Sequence, residues 1–367
     1  MKISIGSRII SGPWGGGNLF VVNLSKYLIK QGHKVIYDLS HKDIDLILLT
    51  DPRSKKESTS RFNHFDIVKY KKFVNPNVNV VQRINECDER KNTSGINQFY
   101  LNASNCADKV VFVSSWLESI FIDLGMDKNK TSVIMSGSDN EIFKPPEIKY
   151  KSEKTKLVTH HWSSHENKGF ETYFLIDNLL EDAYWKDKIE FTYIGNLDKQ
   201  QNFKNVKVLN PLSGSQLSDE LGKHDIYVTG SINEPSGNHH IEGALCGLPV
   251  LYKESGGVPE YAKEFGESFN DDFSEKLKLI IENYSYYQNK MSKYPFVSES
   301  MCDEYYKLFE NLIKNNRKNE SVRPNFLNSF LFRFKHKVID NFLSLLKDQT
   351  RGFIIKLIKK MFGKKYG

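Results

Sequence analysis

The chain alternates short apolar runs with amphipathic stretches, and the alternation starts a second time near residue 150. Before the restart the strand candidates are 2–10 (KISIGSRII), 34–39 (KVIYDL), 45–50 (DLILLT), 78–84 (VNVVQRI) and 108–114 (DKVVFVS). After it they are 156–162 (KLVTHHW), 189–195 (IEFTYIG), 206–211 (VKVLNP), 225–230 (DIYVTG) and 249–254 (PVLYKE). Apolar runs separated by helical segments call for parallel strands, because a parallel pair needs a long crossover and buries both sheet faces. The pattern predicts two Rossmann-like, doubly wound α/β units, 1–150 and 151–295, facing a cleft. A helix over 296–318 returns to the first unit, and a distinct tail occupies 323–367. Ligands of such sheets sit at the carboxyl ends of strands, so the loops after strands are where chemistry is sought.

Composition limits the alternatives. With 39% hydrophobic and 26% charged residues, the 367-residue chain is not largely disordered. No apolar run approaches the roughly 18–20 residues needed to span a bilayer as a helix. Cys87, Cys106, Cys246 and Cys302 form no CxxC pair and fit no zinc module, which suits small buried residues in a reducing compartment. The amino terminus has no apolar h-region, and a cytoplasmic location is expected.

The most specific stretch is 234–260, EPSGNHHIEGALCGLPVLYKESGGVPE. Pro235, Ser236 and Gly237 form a turn directly after the strand DIYVTG. A helix is expected from Asn238 until Gly247, where glycine suits the left-handed cap and Pro249 prevents continuation. Glu234 then lies in the loop and Glu242 one turn inside the helix, with His239 three residues earlier on the same face. Free amides at the helix start suit a phosphate, and a carboxylate one turn in can accept bonds from a ribose diol.

These residues resemble the retaining GT-B glycosyltransferases of the large family 4 group (glycosyl transferases group 1). Glu234 and Glu242 match that group's Glu-x7-Glu motif. Cys246-Gly247-Leu248-Pro249 and Gly256-Gly257-Val258-Pro259-Glu260 match the turns that follow it. GGGNLFVVNLSKYLIKQGHKV (15–35), CADKVVFVSSW (106–116), IMSGSDNEIFKP (134–145) and NKG (167–169) resemble its other landmarks in order, so the likeness covers about 1–315. It implies a UDP- or GDP-type sugar donor held mainly by the second unit, an acceptor on the first, retention of anomeric configuration, and no metal or other cofactor. Lys168 would neutralise the departing diphosphate, with Gly16 and Gly17 close to it. Ser236, Gly237, Asn238 and His239 would line the phosphates, Glu242 the ribose, and Glu234 the donor sugar.

Two departures accompany the likeness. The group usually carries an arginine shortly before the lysine, whereas 160–169 (HHWSSHENKG) has none and offers His161, Ser163 or Ser164. It also often places a histidine at the end of a first-unit strand, where this chain has Asn85. Arg83, Glu86 and Asp88 lie nearby in sequence and are candidates for the acceptor.

Other residues admit competing readings. Asp43-Ile44-Asp45 spells the DxD of a metal–diphosphate site but precedes a strand, the wrong end of the sheet, and is read as structural. Neighbouring histidines at 239–240 diverge by about 100° on a helix and chelate one ion poorly. Asp38 at the end of the second strand suggests a dinucleotide reading, but the glycine loop is not GxGxxG in register. A further alternative is a non-catalytic GT-B-fold sugar-binding or scaffold subunit of a glycosylation complex.

The tail carries eleven lysines and arginines against Asp340 and Asp348, a net of +9, with apolar residues at helical spacing from Phe326 through Phe362. A basic amphipathic helix of this kind lies on anionic membranes. The alternative is packing on the protein's own body. Residues 1–322 have a net charge of −2, so the chain's +7 belongs to the tail. Nucleic acid is not expected as a partner. The combined expectation is transfer of a sugar to a saccharide or lipid-linked saccharide at the inner membrane face, in bacterial surface polysaccharide or glycolipid synthesis.

Overall fold

A computed structural model describes residues 1–10, 15–53, 59–148, 152–198, 201–315 and 325–339. Its strands are β1 (Lys2–Ile5), β2 (Lys34–Ile36), β3 (Leu46–Leu49), β4 (Asn79–Ile84), β5 (Lys109–Phe112), β6 (Thr131–Val133), β7 (Thr155–His161), β8 (Ile189–Gly195), β9 (Lys207–Leu209), β10 (Ile226–Thr229), β11 (Val250–Lys253) and β12 (Gly266–Phe269). Its α-helices are α1 (Gly16–Lys30), α2 (His64–Phe73), α3 (Ile96–Ala103), α4 (Ser115–Asp123), α5 (Phe170–Leu179), α6 (Gly214–Leu221), α7 (Asn238–Leu245), α8 (Val258–Ala262), α9 (Phe273–Glu282), α10 (Tyr284–Met291), α11 (Ser298–Asn315) and α12 (Phe326–Phe334). The part of the glycine loop at 11–14 and the tail beyond 339 lie outside the described residues.

The strands form two sheets, β2-β1-β3-β4-β5-β6 and β12-β11-β10-β7-β8-β9. Every pairing between these strands is parallel. The apolar runs read as strands because both sheet faces are covered. In β3, Leu46 and Leu48 face α1 and α11, while Ile47 and Leu49 face the side carrying α2, α3 and α4. The second sheet repeats this: Leu157 and Val228 join the α5 and α9 side, and Val158 and Tyr227 the α6 and α7 side. All four cysteines are free and buried.

Two short edge strands, β6 and β12, escape the sequence reading because three or four residues carry too little pattern. The first strand is shorter than expected. Gly6 still donates its N–H to the Leu48 carbonyl at 2.9 Å, but the chain then turns away and Ser7 bridges Ser60. A side chain at Gly6 would meet the Phe62 ring 2.9 Å from its Cβ.

Winding reverses between β1 and β3 in one sheet and between β7 and β10 in the other, so the crevices that receive ligands open at those strand ends. The amino end of α7 faces the second crevice because its second turn presses on β10. A Cβ on Gly243 would lie 2.2 Å from the nearest atom of the Tyr227 ring. Gly243→Ala should therefore destabilise the chain by about 1–3 kcal/mol through overpacking, read as a lower urea midpoint at unchanged slope.

Candidate active site

Where the second crevice opens, β7 ends in His160 and His161, β10 ends in Thr229, and the loop to α7 carries Glu234. The Glu234 carboxylate is buried, with 5% of the residue exposed. One oxygen takes the Lys168 ammonium. The other faces Arg90 Nε at 3.2 Å, across from the first unit. Burial alone would raise the carboxyl pKa. Arg90 first, then Lys168, outweigh it and hold Glu234 at about 2. Burial draws the Lys168 ammonium below the usual lysine value, and Glu234 opposes that. Arg90 is raised, chiefly by Glu234. Its guanidinium also meets the Glu86 carboxylate at 3.3 Å, and Lys91 meets the same carboxylate at 3.5 Å. Arg90, Lys91, Trp162, His165, Lys168 and Glu234 enclose a cavity of about 190 Å³.

Beside this cluster α7 begins at Asn238 after Gly237, whose φ of 71° is the left-handed conformation glycine accepts without strain. The helix has no side-chain cap and no acid in its first turn. The same holds for α1, which begins at Gly16. The two helix starts meet: a Cβ on Gly16 would sit 2.8 Å from the Asn238 side chain, while Gly17 faces open space. Converging amino ends concentrate unpaired N–H groups and positive potential, which favours an anion. One turn into α7, the buried Glu242 carboxylate accepts from His160 Nε2 at 2.9 Å, and Tyr227 packs its hydroxyl 3.2 Å from the other ring nitrogen.

The remaining expected site residues differ in their surroundings. The His239 ring turns inward, with Nε2 at 3.0 Å from the Thr229 hydroxyl. Ser236 lies 3.3 Å from Ser136 of the connector between the units. Asn85 is half-buried just past β4. Arg83 is no surface group: it is buried with its guanidinium 4.2 Å from the Phe20 ring centroid. Asp88 is taken up by its own loop, accepting from Thr93 at 2.9 Å and from the amides of Ile96 and Asn97 at 3.0 Å. Neither lines the cavity. Glu86 does reach the cluster, through Arg90. His161, offered as a phosphate contact, lies beneath the site with Nε2 at 2.5 Å from the Tyr173 hydroxyl. Asp43 of the DxD pairs with Lys2 at 2.5 Å at the amino end of the sheet. Among the described residues no group of three or more His, Cys, Asp or Glu side chains is placed to hold a metal ion.

Sequence reasoning passed over the residues that join the units. Glu260 accepts from the backbone N–H of both Ser115 and Trp116 at 2.8 Å, capping α4 from the opposite unit. Tyr261 donates to the Val113 carbonyl and accepts from Ser136 N at 2.9 Å. Asn167 and Asn233 donate to the carbonyls of Arg90 and Glu89 at 3.1 and 3.3 Å. The Gly-Gly-x-Pro-Glu motif could have pointed to Glu260; nothing local marks the asparagines.

Residues 187–295 match the sequence model of the family described as glycosyl transferases group 1. Over that stretch the chain is similar to the group 1 glycosyltransferases. The phosphatidylinositol N-acetylglucosaminyltransferase gpi3 subunit of Schizosaccharomyces pombe is 31% identical over 83 residues, 22% of this chain and 18% of that protein. This chain thus matches less than a fifth of that relative. Sucrose-phosphate synthase from Thermosynechococcus elongatus superposes with a TM-score of 0.64 at 14% identity, covering 85% of this chain and 98% of that one. Anabaena HepE, solved with UDP and glucose, gives 0.61 at 17% identity, covering 85% and 100%. These likenesses establish the GT-B fold.

Burial drives His161 and His239 well below the usual 6.5 and His240 to about 4, so all three are neutral in the folded protein at pH 7. Once unfolded they take up protons near 6.5. The native state therefore binds fewer protons, and its stability is complete above that pH and lost as pH falls below it. Each histidine contributes up to about 1.4 kcal/mol per pH unit. The urea midpoint should drop from pH 6.5 to 5, less steeply in His161→Gln; an equal slope would place the acid sensitivity elsewhere.

Proposed function

We propose that the chain transfers a sugar from a nucleotide diphosphate donor, with retention of configuration and without a metal. The observation that carries this reading is the Lys168–Glu234 pair buried beside the uncapped amino end of α7. The family match over 187–295 and the UDP and UDP-glucose complexes of Anabaena HepE support it. A UDP- or GDP-type donor would lay its phosphates against the α7 amides and its ribose toward Glu242. Lys168 would meet the negative charge that develops on the leaving diphosphate. An anionic Glu234 near the sugar favours the positive charge of an oxocarbenium-like transition state. Asn85 remains the candidate for orienting an acceptor hydroxyl from the first unit, with Glu86 nearby.

The acceptor on this reading is a saccharide or lipid-linked saccharide at the inner face of a bacterial membrane. No helix among the described residues is long and apolar enough to cross a membrane. The start of the tail packs on the protein's own body through two residues. Phe332 buries against Tyr70 of α2, and Arg333 donates to the Ser40 carbonyl at 2.9 Å. The rest of α12 exposes Phe326, Leu327, Phe330 and Phe334, and α2 exposes Phe65 and Val68. Apolar rings flanked by Lys69, Lys72, Lys335 and Lys337 are the chemistry of an interfacial anchor.

Two outcomes are expected. By calorimetry with UDP, GDP and their sugar conjugates, Glu242→Ala loses donor affinity, whereas Lys168→Ala loses about 10²–10³ in turnover. Unchanged binding in Glu242→Ala would sink the ribose assignment. Donor hydrolysis or transfer by the purified chain would dismiss the scaffold reading. In co-sedimentation with anionic liposomes, the full chain should pellet and a chain ending near residue 320 should not; equal binding would remove the membrane claim.

A further inference from the structure

Between Arg90 and Arg317 the chain contains no arginine. The second unit therefore has none to set beside Lys168, and its stretch before the lysine brings Trp162, Ser163, His165 and Asn167 to the cavity. His161 is buried and neutral, so it supplies no charge there. Arginines of the first unit are engaged elsewhere in two instances: Arg53 with Asp51 at 2.8 Å, and Arg83 against Phe20. Arg90 is the one that lines the cavity with Lys168.

Its position is built rather than incidental. The loop after β4 is held by Asp88, which ties Thr93, Ile96 and Asn97 together. At the tip, Asn167 and Asn233 of the second unit hold the carbonyls of Arg90 and Glu89. Glu86 fixes the guanidinium from behind at 3.3 Å, and Glu234 meets it in front. Three cations (Arg90, Lys91 and Lys168) face two carboxylates (Glu86 and Glu234), leaving one positive charge at the cavity. A planar fork of N–H donors that already touches an anion from the other unit is suited to a phosphate in the same place.

We propose that Arg90 is the second cation of the diphosphate site, delivered by the first unit across the cleft. This rests on the donor reading above. Arg90 and Lys168 then grip the terminal phosphate from opposite units, and the grip exists only while the asparagines hold the loop. Arg90 is thus a binding residue, and Asn167 and Asn233 are positioning residues that act through it.

The test is calorimetry of the full chain with UDP, GDP and ADP and the three matching monophosphates. Arg90→Ala should weaken the preferred diphosphate about 10–100-fold, the loss of one charge-assisted contact, and leave the monophosphate within about twofold. Arg90→Lys should recover part of the loss. The double variant Asn167→Ala, Asn233→Ala removes no charge and should still lower diphosphate affinity several-fold while sparing the monophosphate. Thermal unfolding and circular dichroism verify that each variant is folded. Diphosphate binding by Arg90→Ala equal to wild type, or equal losses for mono- and diphosphate, would overturn the assignment. Wild-type protein that binds none of the three diphosphates would overturn the donor reading, and the role of Arg90 with it.

Discussion

The architecture turns on one desolvated carboxylate. Glu234 is removed from water and stays ionised because a cation from each unit reaches it, Lys168 from its own side and Arg90 from the other. An unpaired charge at such depth costs several kcal/mol, so neither unit can carry Glu234 in this state without a partner. The junction is therefore more than two surfaces in contact. Removing either cation leaves Glu234 with one partner in place of two.

Around that pair the units are fastened by the chain itself. The backbone crosses from one to the other near Ser138 and returns near Val297, and the crossings are bonded: Ser298 N donates to the Ser138 carbonyl at 2.8 Å. Gly137 lies so close to the Val297 carbonyl that no side chain fits. Glu260 adds a third fastening, placing a carboxylate where α4 has unpaired amides and a positive end. These contacts tie the units together at the two crossings and at the start of α4.

Much of this was legible beforehand. The alternation of apolar runs marks the parallel sheets because each run is buried on both faces. The bounds of α7 follow from Gly237 before it and Gly247 after it, and the observed helix, Asn238–Leu245, lies between them. What stayed hidden are the pairings between distant segments. Arg90 and Glu234 are 144 positions apart and leave no periodic trace. Arg83 looks like a surface cation next to Asn85, yet its place in β4 turns it into the core against Phe20 and Tyr305, where aromatic faces stand in for water. Asp88 reads as a free acid until α3 is seen to start on it.

The asparagines grip the Arg90 loop by its backbone carbonyls, not by the guanidinium. Exchange of the side chain at position 90 therefore leaves the partners of that grip in place. Exchange of Asn167 or Asn233 does the reverse, keeping every charge of the cluster and loosening the backbone that presents them. Charge and placement at the junction thus belong to different residues, and either can change in sequence without the other.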